Sequence, residues 1–155
     1  MNNNIPKTVY DLFKNRYIPR ESKILHVGGG KQGYNYKPVL DNKDVYETLS
    51  KNSGSTYVRK DDKWYDWRLP SDHFDVVLCD CLNADPLFWR TLHQLVDVCK
   101  QDGYIILILN DDLQLATSCL FRPGIVTDWG RYMSCHVEEF QFTNEHGFSY
   151  IVFKK

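Results

Sequence analysis

The stretch Lys23-Ile-Leu-His-Val-Gly-Gly-Gly-Lys-Gln-Gly33 carries an apolar run directly into a glycine-rich turn. The turn has the spacing Gly28-x-Gly30-x-x-Gly33, and glycines allow positive φ angles and a close approach of backbone N–H groups to a ligand. An acidic residue, Glu47, follows about twenty positions later, where nucleotide-binding βαβ units hold a ribose. Taken alone, the stretch predicts a strand and a turn, and it leaves a nucleotide site and a plain tight turn open.

Short apolar runs bounded by turn residues recur along the chain and predict the strands of a parallel sheet. These runs lie at Lys23–Val27, Asp44–Leu49, Ser55–Arg59, Phe74–Asp80 and Tyr104–Leu109. Between the fourth and the fifth run, Asp85-Pro86 marks the start of a helix with apolar residues at helical spacing, and Asp102-Gly103 marks its end. A strand, a crossover helix and a second strand in this order form the unit of a parallel α/β fold.

The two ends of the chain add further elements. Helices are predicted at Thr8–Tyr17 and Asp111–Phe121, and the runs Cys135–Phe142 and Phe148–Lys154 predict an antiparallel hairpin. The sequence has no repeat or linker, so we expect one domain over residues 1–155, with an N-terminal helix in 1–20 and a core in 21–155. The predicted fold is a three-layer α/β sandwich whose mostly parallel sheet ends in an antiparallel C-terminal hairpin.

Composition excludes several classes of function. The 155 residues are 43% hydrophobic and carry 19 basic and 20 acidic side chains, for a net charge of -1, so we expect neither nucleic acid nor an anionic membrane as a partner. No apolar run approaches the roughly 18 residues of a spanning helix, and the start of the chain lacks the apolar segment of a signal peptide. A cytoplasmic location is expected.

The cysteines predict neither a disulfide framework nor a metal site. Five cysteines lie at positions 79, 81, 99, 119 and 135, without a Cys-x-x-Cys pair, and the five histidines are scattered. We therefore interpret Cys79 and Cys81 as small apolar or turn residues and assign no metal.

Three segments in a fixed order carry a family resemblance. They are Ile24–Gly30, the run Leu69-Pro-Ser-Asp-His-Phe-Asp-Val-Val-Leu-Cys-Asp80, and Asp85–Ile108. They resemble the segments "ILDVGCG", "LPF-x-D-x-S-FDVV" and "DP…AL-x-E-x-x-R-V-LKPGG-x-L-x-I" of S-adenosylmethionine-dependent methyltransferases of the Rossmann-like class, methyltransferase type 11-like. The resemblance covers roughly residues 20 to 110, and this chain looks like a small and partly degenerate example.

The main alternative is a dinucleotide-dependent oxidoreductase, which shares the glycine pattern. Such enzymes place a helix N-terminus against the pyrophosphate directly after the third glycine. Here Tyr34–Asn42 contains Pro38 and few strong helix formers. S-adenosylmethionine has no phosphate, so this segment favours the methyltransferase interpretation.

The resemblance implies S-adenosylmethionine as the cofactor and a set of binding residues. The set consists of His26, Gly28, Gly29, Gly30, Glu47, Ser50, Asp66, Trp67 and Asp80. The glycines would shape the loop beside the methionine moiety, and either Glu47 or Ser50 would hold the ribose. Asp66 and Trp67 would contact adenine through a carboxylate and an aromatic face. Each of these residues also has a purely structural interpretation as a strand-end, turn or core residue.

His26 departs from the family pattern, which has an acid at this position to hold the cationic amino group. A neutral imidazole offers only an acceptor there, so His26→Asp is expected to keep or improve cofactor affinity, and Gly28→Val to abolish it with the fold largely intact. Asp80 is the best candidate for a polar contact to the ligand or the acceptor. No motif identifies a catalytic base.

Two functions of different classes remain open at this point. One is methyl transfer to a small-molecule or peptide acceptor, in which the protein mainly orients the acceptor and helps remove its proton. The other is a catalytically inactive relative that acts as a binding or partner subunit. The altered residue at position 26 and the short chain favour the second function, for which a protein partner or a homodimer is left open.

Overall fold

One mixed sheet organises the part of the chain that the computed structural model describes, residues 16–19, 21–28, 45–50, 56–58, 68–80, 88–110, 123–141 and 148–155. Its seven strands are β1 (Lys23–Val27), β2 (Val45–Ser50), β3 (Tyr57–Val58), β4 (Phe74–Cys79), β5 (Cys99–Asn110), β6 (His136–Gln141) and β7 (Phe148–Lys154). The described helices are α1 (Phe88–Val98) and α2 (Pro123–Tyr132). The strand order is β3-β2-β1-β4-β5-β7-β6.

The sheet confirms the predicted mixture of parallel and antiparallel strands. β1 to β5 pair in parallel, whereas β7 runs antiparallel to both β5 and β6. β1 is an interior strand, with Val27 in register with Leu49 of β2 and with Cys79 of β4. The carboxyl ends of these three strands therefore meet at one edge of the sheet, where open α/β folds bind their ligands.

Both faces of the sheet are buried, which explains why its strands are continuous apolar runs. One face packs under α1, and the buried residues there include Leu25, Val27, Val77, Cys79, Ile105, Leu107, Ile151, Phe153, Leu92 and Leu95. The opposite face buries Ile24, Val76, Leu78, Ile106, Ile108, Tyr150 and Val152 together with Tyr17 and Ile18. Cys79 is fully buried, as its interpretation as a small apolar residue requires.

The crossover helix is present but ends earlier than predicted. α1 stops at Val98, and β5 begins at Cys99, so Asp102-Gly103 lies inside a strand. Cys99 pairs with Phe74 across a register shift, and Asp102 has a φ of 66°. A β-carbon at position 103 would lie 2.7 Å from the carbonyl oxygen of Asp75, so glycine permits the close approach of β4 and β5 here. The pair of residues marks an irregular strand rather than a helix end.

The second helix, α2, was not predicted. It starts with Pro123 and ends in a left-handed residue, Ser134, with a φ of 63°. The Cys135 N–H donates to the Gly130 carbonyl at 2.9 Å, which satisfies a terminal carbonyl as in a Schellman cap. The helices predicted at Asp111–Phe121 and Thr8–Tyr17 lie outside the described residues, apart from a turn at residues 16–17. Of the helices in the described ranges, none combines the length and the apolar character that crossing a membrane requires.

The carboxylate of Glu139 on β6 connects residues 16 and 17 to the antiparallel part of the sheet through hydrogen bonds. Glu139 of β6 accepts hydrogen bonds from the hydroxyls of Tyr17 and Tyr150, each at 2.6 Å. It also accepts one from the Arg16 guanidinium at 2.8 Å. We call these four residues the Glu139 cluster. The cluster joins parts of the chain that are more than a hundred residues apart in sequence.

Candidate functional site

The candidate site lies where β1 and β4 end. The Gly28 N–H donates to the Leu49 carbonyl of β2 at 3.0 Å, and the Asp80 N–H donates to the Val27 carbonyl of β1 at 3.2 Å. Both residues therefore extend the hydrogen-bonded ladder by one step past the ends of β1 and β4, so they lie at the carboxyl edge of the sheet. The structure brings three of the predicted site residues together here, His26, Gly28 and Asp80.

His26 and Asp80 form a buried hydrogen bond at this edge. The ring N–H at Nε2 of His26 donates to Oδ2 of Asp80 at 2.8 Å. The two meet because His26 is in register with Leu78, and Asp80, two residues further along, points to the same face of the sheet. Their side chains are only 2% and 8% exposed, so the contact is almost completely shielded from water.

Gly28 makes room for this pair. Its φ is 136°, a conformation that side chains rarely adopt, and a β-carbon built there would lie 1.8 Å from Oδ1 of Asp80. The sequence predicts that a side chain at position 28 collides on the ligand side and leaves the fold largely intact. The first group that the side chain would meet is the Asp80 carboxylate.

The contact with Asp80 also changes the expectation for His26→Asp. That expectation treated position 26 as an isolated cofactor contact, whereas the imidazole is hydrogen-bonded to a carboxylate. A second carboxylate at position 26 would face Asp80 in a buried setting, and two like charges at such a distance disfavour each other. An acidic side chain, Asp80, lies beside position 26 at the end of the neighbouring strand β4.

Glu47 lies away from this edge. It is in register with Leu25 of β1, two residues before the Leu49 carbonyl that Gly28 contacts. Its Oε2 accepts a hydrogen bond from the Tyr57 hydroxyl at 2.5 Å. That hydrogen bond, followed by burial, raises the pKa of Tyr57 to about 12. Tyr57 was not predicted as a partner, and the structure gives Glu47 a role between β2 and β3.

Ser50 is the predicted ribose residue that reaches the carboxyl edge. It ends β2, beside Val58 of β3. The remaining predicted contacts, Gly29, Gly30, Asp66 and Trp67, lie outside the described residues. Within the described ranges, no group of three or more histidine, cysteine or acidic side chains is arranged to hold a metal ion.

The chemistry of the edge follows from these positions. A carboxylate that is nearly buried and hydrogen-bonded on one oxygen can attract a cationic group of a ligand, and a glycine with a positive φ lets the backbone approach it. Sequence reasoning identified the separate residues but not their contact. The strand order was the missing information, because only adjacent parallel strands place positions 26 and 80 side by side.

Comparisons with known proteins support the fold. No protein-family model matches the sequence, and a search of curated proteins finds no match. Among solved structures, a SAM-dependent methyltransferase from Archaeoglobus fulgidus matches with a TM-score of 0.72 and 14% identity over 99% of this chain and 95% of that chain.

Two further solved structures agree. A SAM-dependent methyltransferase from Aquifex aeolicus matches with a TM-score of 0.69 and 13% identity over 97% of this chain and 89% of that chain. One from Methanosarcina mazei matches with a TM-score of 0.68 and 13% identity over 94% and 97%. The chain therefore has the fold of these SAM-dependent methyltransferases, and the fold predicted from the sequence is confirmed.

Proposed function

We propose that this chain binds S-adenosylmethionine at the carboxyl edge of β1 and β4 and transfers its methyl group to a small-molecule or peptide acceptor. The observation that carries the proposal is the buried Asp80 carboxylate beside Gly28, at the ligand-binding edge of a methyltransferase-like sheet. We also infer that residues 1–155 form a single domain, since strands from β1 to β7 belong to one sheet.

The residues at the edge suit this cofactor. S-adenosylmethionine supplies an electrophilic methyl group on a sulfonium and carries an ammonium group on its amino-acid part. The Asp80 carboxylate matches the positive charge of that ammonium, and the missing side chain of Gly28 leaves room for this carboxylate. Ser50, or else Glu47, would hold the ribose hydroxyls, and Asp66 and Trp67 would hold adenine, as the sequence resemblance implies.

The acceptor class rests on the sequence around the end of β4. Asp80-Cys-Leu-Asn83 lacks the Asn-Pro-Pro-Tyr pattern of enzymes that methylate amino groups of DNA bases or glutamine. The net charge of -1 gives the chain no general attraction for nucleic acid. Orientation of the acceptor and removal of its proton are the tasks left to the protein.

Calorimetric titration of the purified protein tests the proposal. S-adenosylmethionine and S-adenosylhomocysteine are expected to bind with dissociation constants of roughly 1 μM to 1 mM, the usual range for enzyme substrates. NAD serves as the comparison ligand and is expected to give no heat of binding, because the chain after Gly33 does not favour the helix that a pyrophosphate needs. Formation of S-adenosylhomocysteine with panels of amine, thiol and carboxylate acceptors then measures turnover.

Absence of binding of either adenosyl compound at millimolar concentration would refute the cofactor assignment. The inactive partner-subunit interpretation would then replace it. Binding without turnover across the acceptor panels would keep the cofactor site and refute the small-molecule part of the proposal, and peptide libraries would be the remaining acceptors to test.

A further inference from the structure

The His26–Asp80 pair is unusual because it lies in a sheet whose interior is otherwise apolar. Both side chains are ionisable and more than nine-tenths buried, between strands whose other inward residues are apolar. An ionised carboxylate loses much of its hydration when it is buried, and well-packed apolar residues in place of a buried polar pair often give equal or greater stability. Stability alone therefore does not account for a buried carboxylate at this position, and its place at the carboxyl edge points to a ligand.

Within the described ranges, one oxygen of the Asp80 carboxylate has capacity for a further donor. Oδ2 is engaged by His26, whereas within the described ranges no group donates a hydrogen bond to Oδ1. Oδ1 lies over Gly28, 1.8 Å from the position that a β-carbon would occupy. A carboxylate has about four acceptor sites in all, so a further donor at the edge can be accommodated.

The net charge of the pair determines which kind of hydrogen-bond donor it attracts. When a neutral imidazole donates its N–H to an ionised carboxylate, the pair keeps a net charge of -1. A cationic donor then gains a charge-assisted hydrogen bond in a site that excludes most water, where such bonds are strong. An anionic group, in contrast, would be repelled.

We propose that Asp80 is the anionic anchor for the primary ammonium group of the ligand's amino-acid moiety, and that His26 is the residue that positions it. This inference rests on the proposed function, since it specifies how the same site holds an adenosyl amino acid. The chain has in effect moved its acid from β1 to the end of β4, and it uses the β1 position to orient that acid.

A ligand-specific loss separates an anchor from a structural carboxylate. S-adenosylhomocysteine carries the ammonium group, whereas 5′-methylthioadenosine has the same adenosine and thioether without the amino-acid part. We expect Asp80→Asn to weaken S-adenosylhomocysteine roughly tenfold to hundredfold while changing 5′-methylthioadenosine by less than about threefold. Calorimetry on the ligand-free protein measures both affinities directly, without any need for turnover.

Asp75→Asn is the matched control. Asp75 lies near the start of the same strand, where it accepts the Lys23 N–H and pairs with Lys100. The control removes the same charge from the opposite end of β4, and both ligands should bind it as they bind the parent protein. Should Asp80→Asn not fold, the same titrations are made with Asp80→Glu, in which the displaced carboxylate is expected to weaken S-adenosylhomocysteine alone.

The positioning role of His26 has its own test. His26→Leu removes the donor, and His26→Gln returns an N–H close to the place of Nε2. We expect His26→Leu to weaken S-adenosylhomocysteine more than 5′-methylthioadenosine and His26→Gln to recover a large part of that loss. Equal losses for both ligands in His26→Leu would show a purely structural role.

The outcomes distinguish this inference from the proposed function. If the parent protein binds neither ligand, the proposed function fails and the anchor fails with it. If the parent protein binds both ligands and Asp80→Asn weakens both equally or neither, the function stands and the anchor is refuted. Tighter binding of S-adenosylhomocysteine by Asp80→Asn would also refute it, because Asp80 would then face the carboxylate of the ligand.

Discussion

Replacing Glu139 with glutamine tests the energetic role of the Glu139 cluster. The change keeps the size of the side chain but removes its charge. One tyrosine hydroxyl can still donate to the amide oxygen and the other can accept from the amide N–H, so both charge-assisted hydrogen bonds become neutral ones. A hydrogen bond to a charged group contributes about 1.5–3 kcal/mol and a neutral one about 0.5–1.5 kcal/mol. The two tyrosine contacts therefore lose about 1 kcal/mol each.

The Arg16 contact adds little to this sum. Its guanidinium is 55% exposed, and exposed ion pairs contribute about 0–1 kcal/mol. The expected loss of unfolding free energy for Glu139→Gln is about 2–3 kcal/mol. For a chain of this length, that loss corresponds to a fall of roughly 4–12 °C in the unfolding midpoint.

The loss of unfolding free energy in Glu139→Gln should become smaller at high pH. Burial, followed by the hydrogen bond to Glu139, raises the pKa of Tyr17 and of Tyr150 to about 12. Because these folded-state values exceed the ordinary value of 10.0, the stability from the neutral tyrosines is complete below pH 10 and is lost as the pH rises toward 12.

Protonation of the Glu139 carboxylate limits the stabilising contribution of the cluster at low pH. Burial by itself would raise the pKa of Glu139, but the hydrogen bonds from Tyr150 and Tyr17 and the charge of Arg16 lower it below 4.5. This contribution is present above pH 4.5 and is lost as the pH falls through the folded-state value. The difference between Glu139→Gln and the parent protein should therefore be largest between about pH 5 and pH 10 and should shrink on both sides.

Thermal unfolding followed by circular dichroism from pH 3 to pH 11 measures this difference. Glu138→Gln is the matched control, since Glu138 is the exposed neighbour on β6 and its replacement should change stability by less than about 0.5 kcal/mol. A midpoint for Glu139→Gln within 1 °C of the control at pH 7, or a deficit that stays constant up to pH 11, would refute the reasoning.

Two further outcomes are expected. Gly28→Val should lower the unfolding free energy of the ligand-free protein by about 1–3 kcal/mol, because the valine β-carbon meets Asp80. The same change should weaken ligand binding. An unchanged midpoint of urea unfolding would contradict the expected loss of stability. Iodoacetamide at pH 8 should leave Cys99 unmodified in the folded protein, since burial raises the pKa of its thiol to about 12. Peptide mass mapping checks this, and labelling of Cys99 as fast as in urea would contradict it.

Local patterns predicted the strands well where burial on both faces left an unbroken apolar run. β1 and β4 agree with the predicted runs at one or both ends, and the C-terminal hairpin is present. The patterns failed where local signals conflicted with tertiary packing. Asp102-Gly103 resembles a helix end but forms an irregular strand, and α2 begins with Pro123-Gly124, which resembles a loop.

The sequence identified individual candidate residues of the site but not the contacts between them. Gly28 was identified from the glycine-rich turn and Asp80 from the family resemblance, whereas the hydrogen bond between Asp80 and His26 depends on which strands are neighbours. Glu47 illustrates the same point. Its spacing from the glycine turn predicts a ribose acid, and the sequence could not show that Glu47 lies in register with Leu25 and accepts a hydrogen bond from Tyr57.

The position of β7 has a consequence for synthesis of the protein on the ribosome. β7 lies between β5 and β6 although it follows both in the chain, and β6 pairs with β7 and with no other strand in the described ranges. Until residues 148–154 emerge, β6 has no place in the sheet and the apolar edge formed by Ile105–Ile108 of β5 stays open. Unpaired apolar edges are where nascent chains associate wrongly. We therefore expect the interval between the emergence of β5 and that of β7 to be the stage at which wrong association threatens the growing chain most.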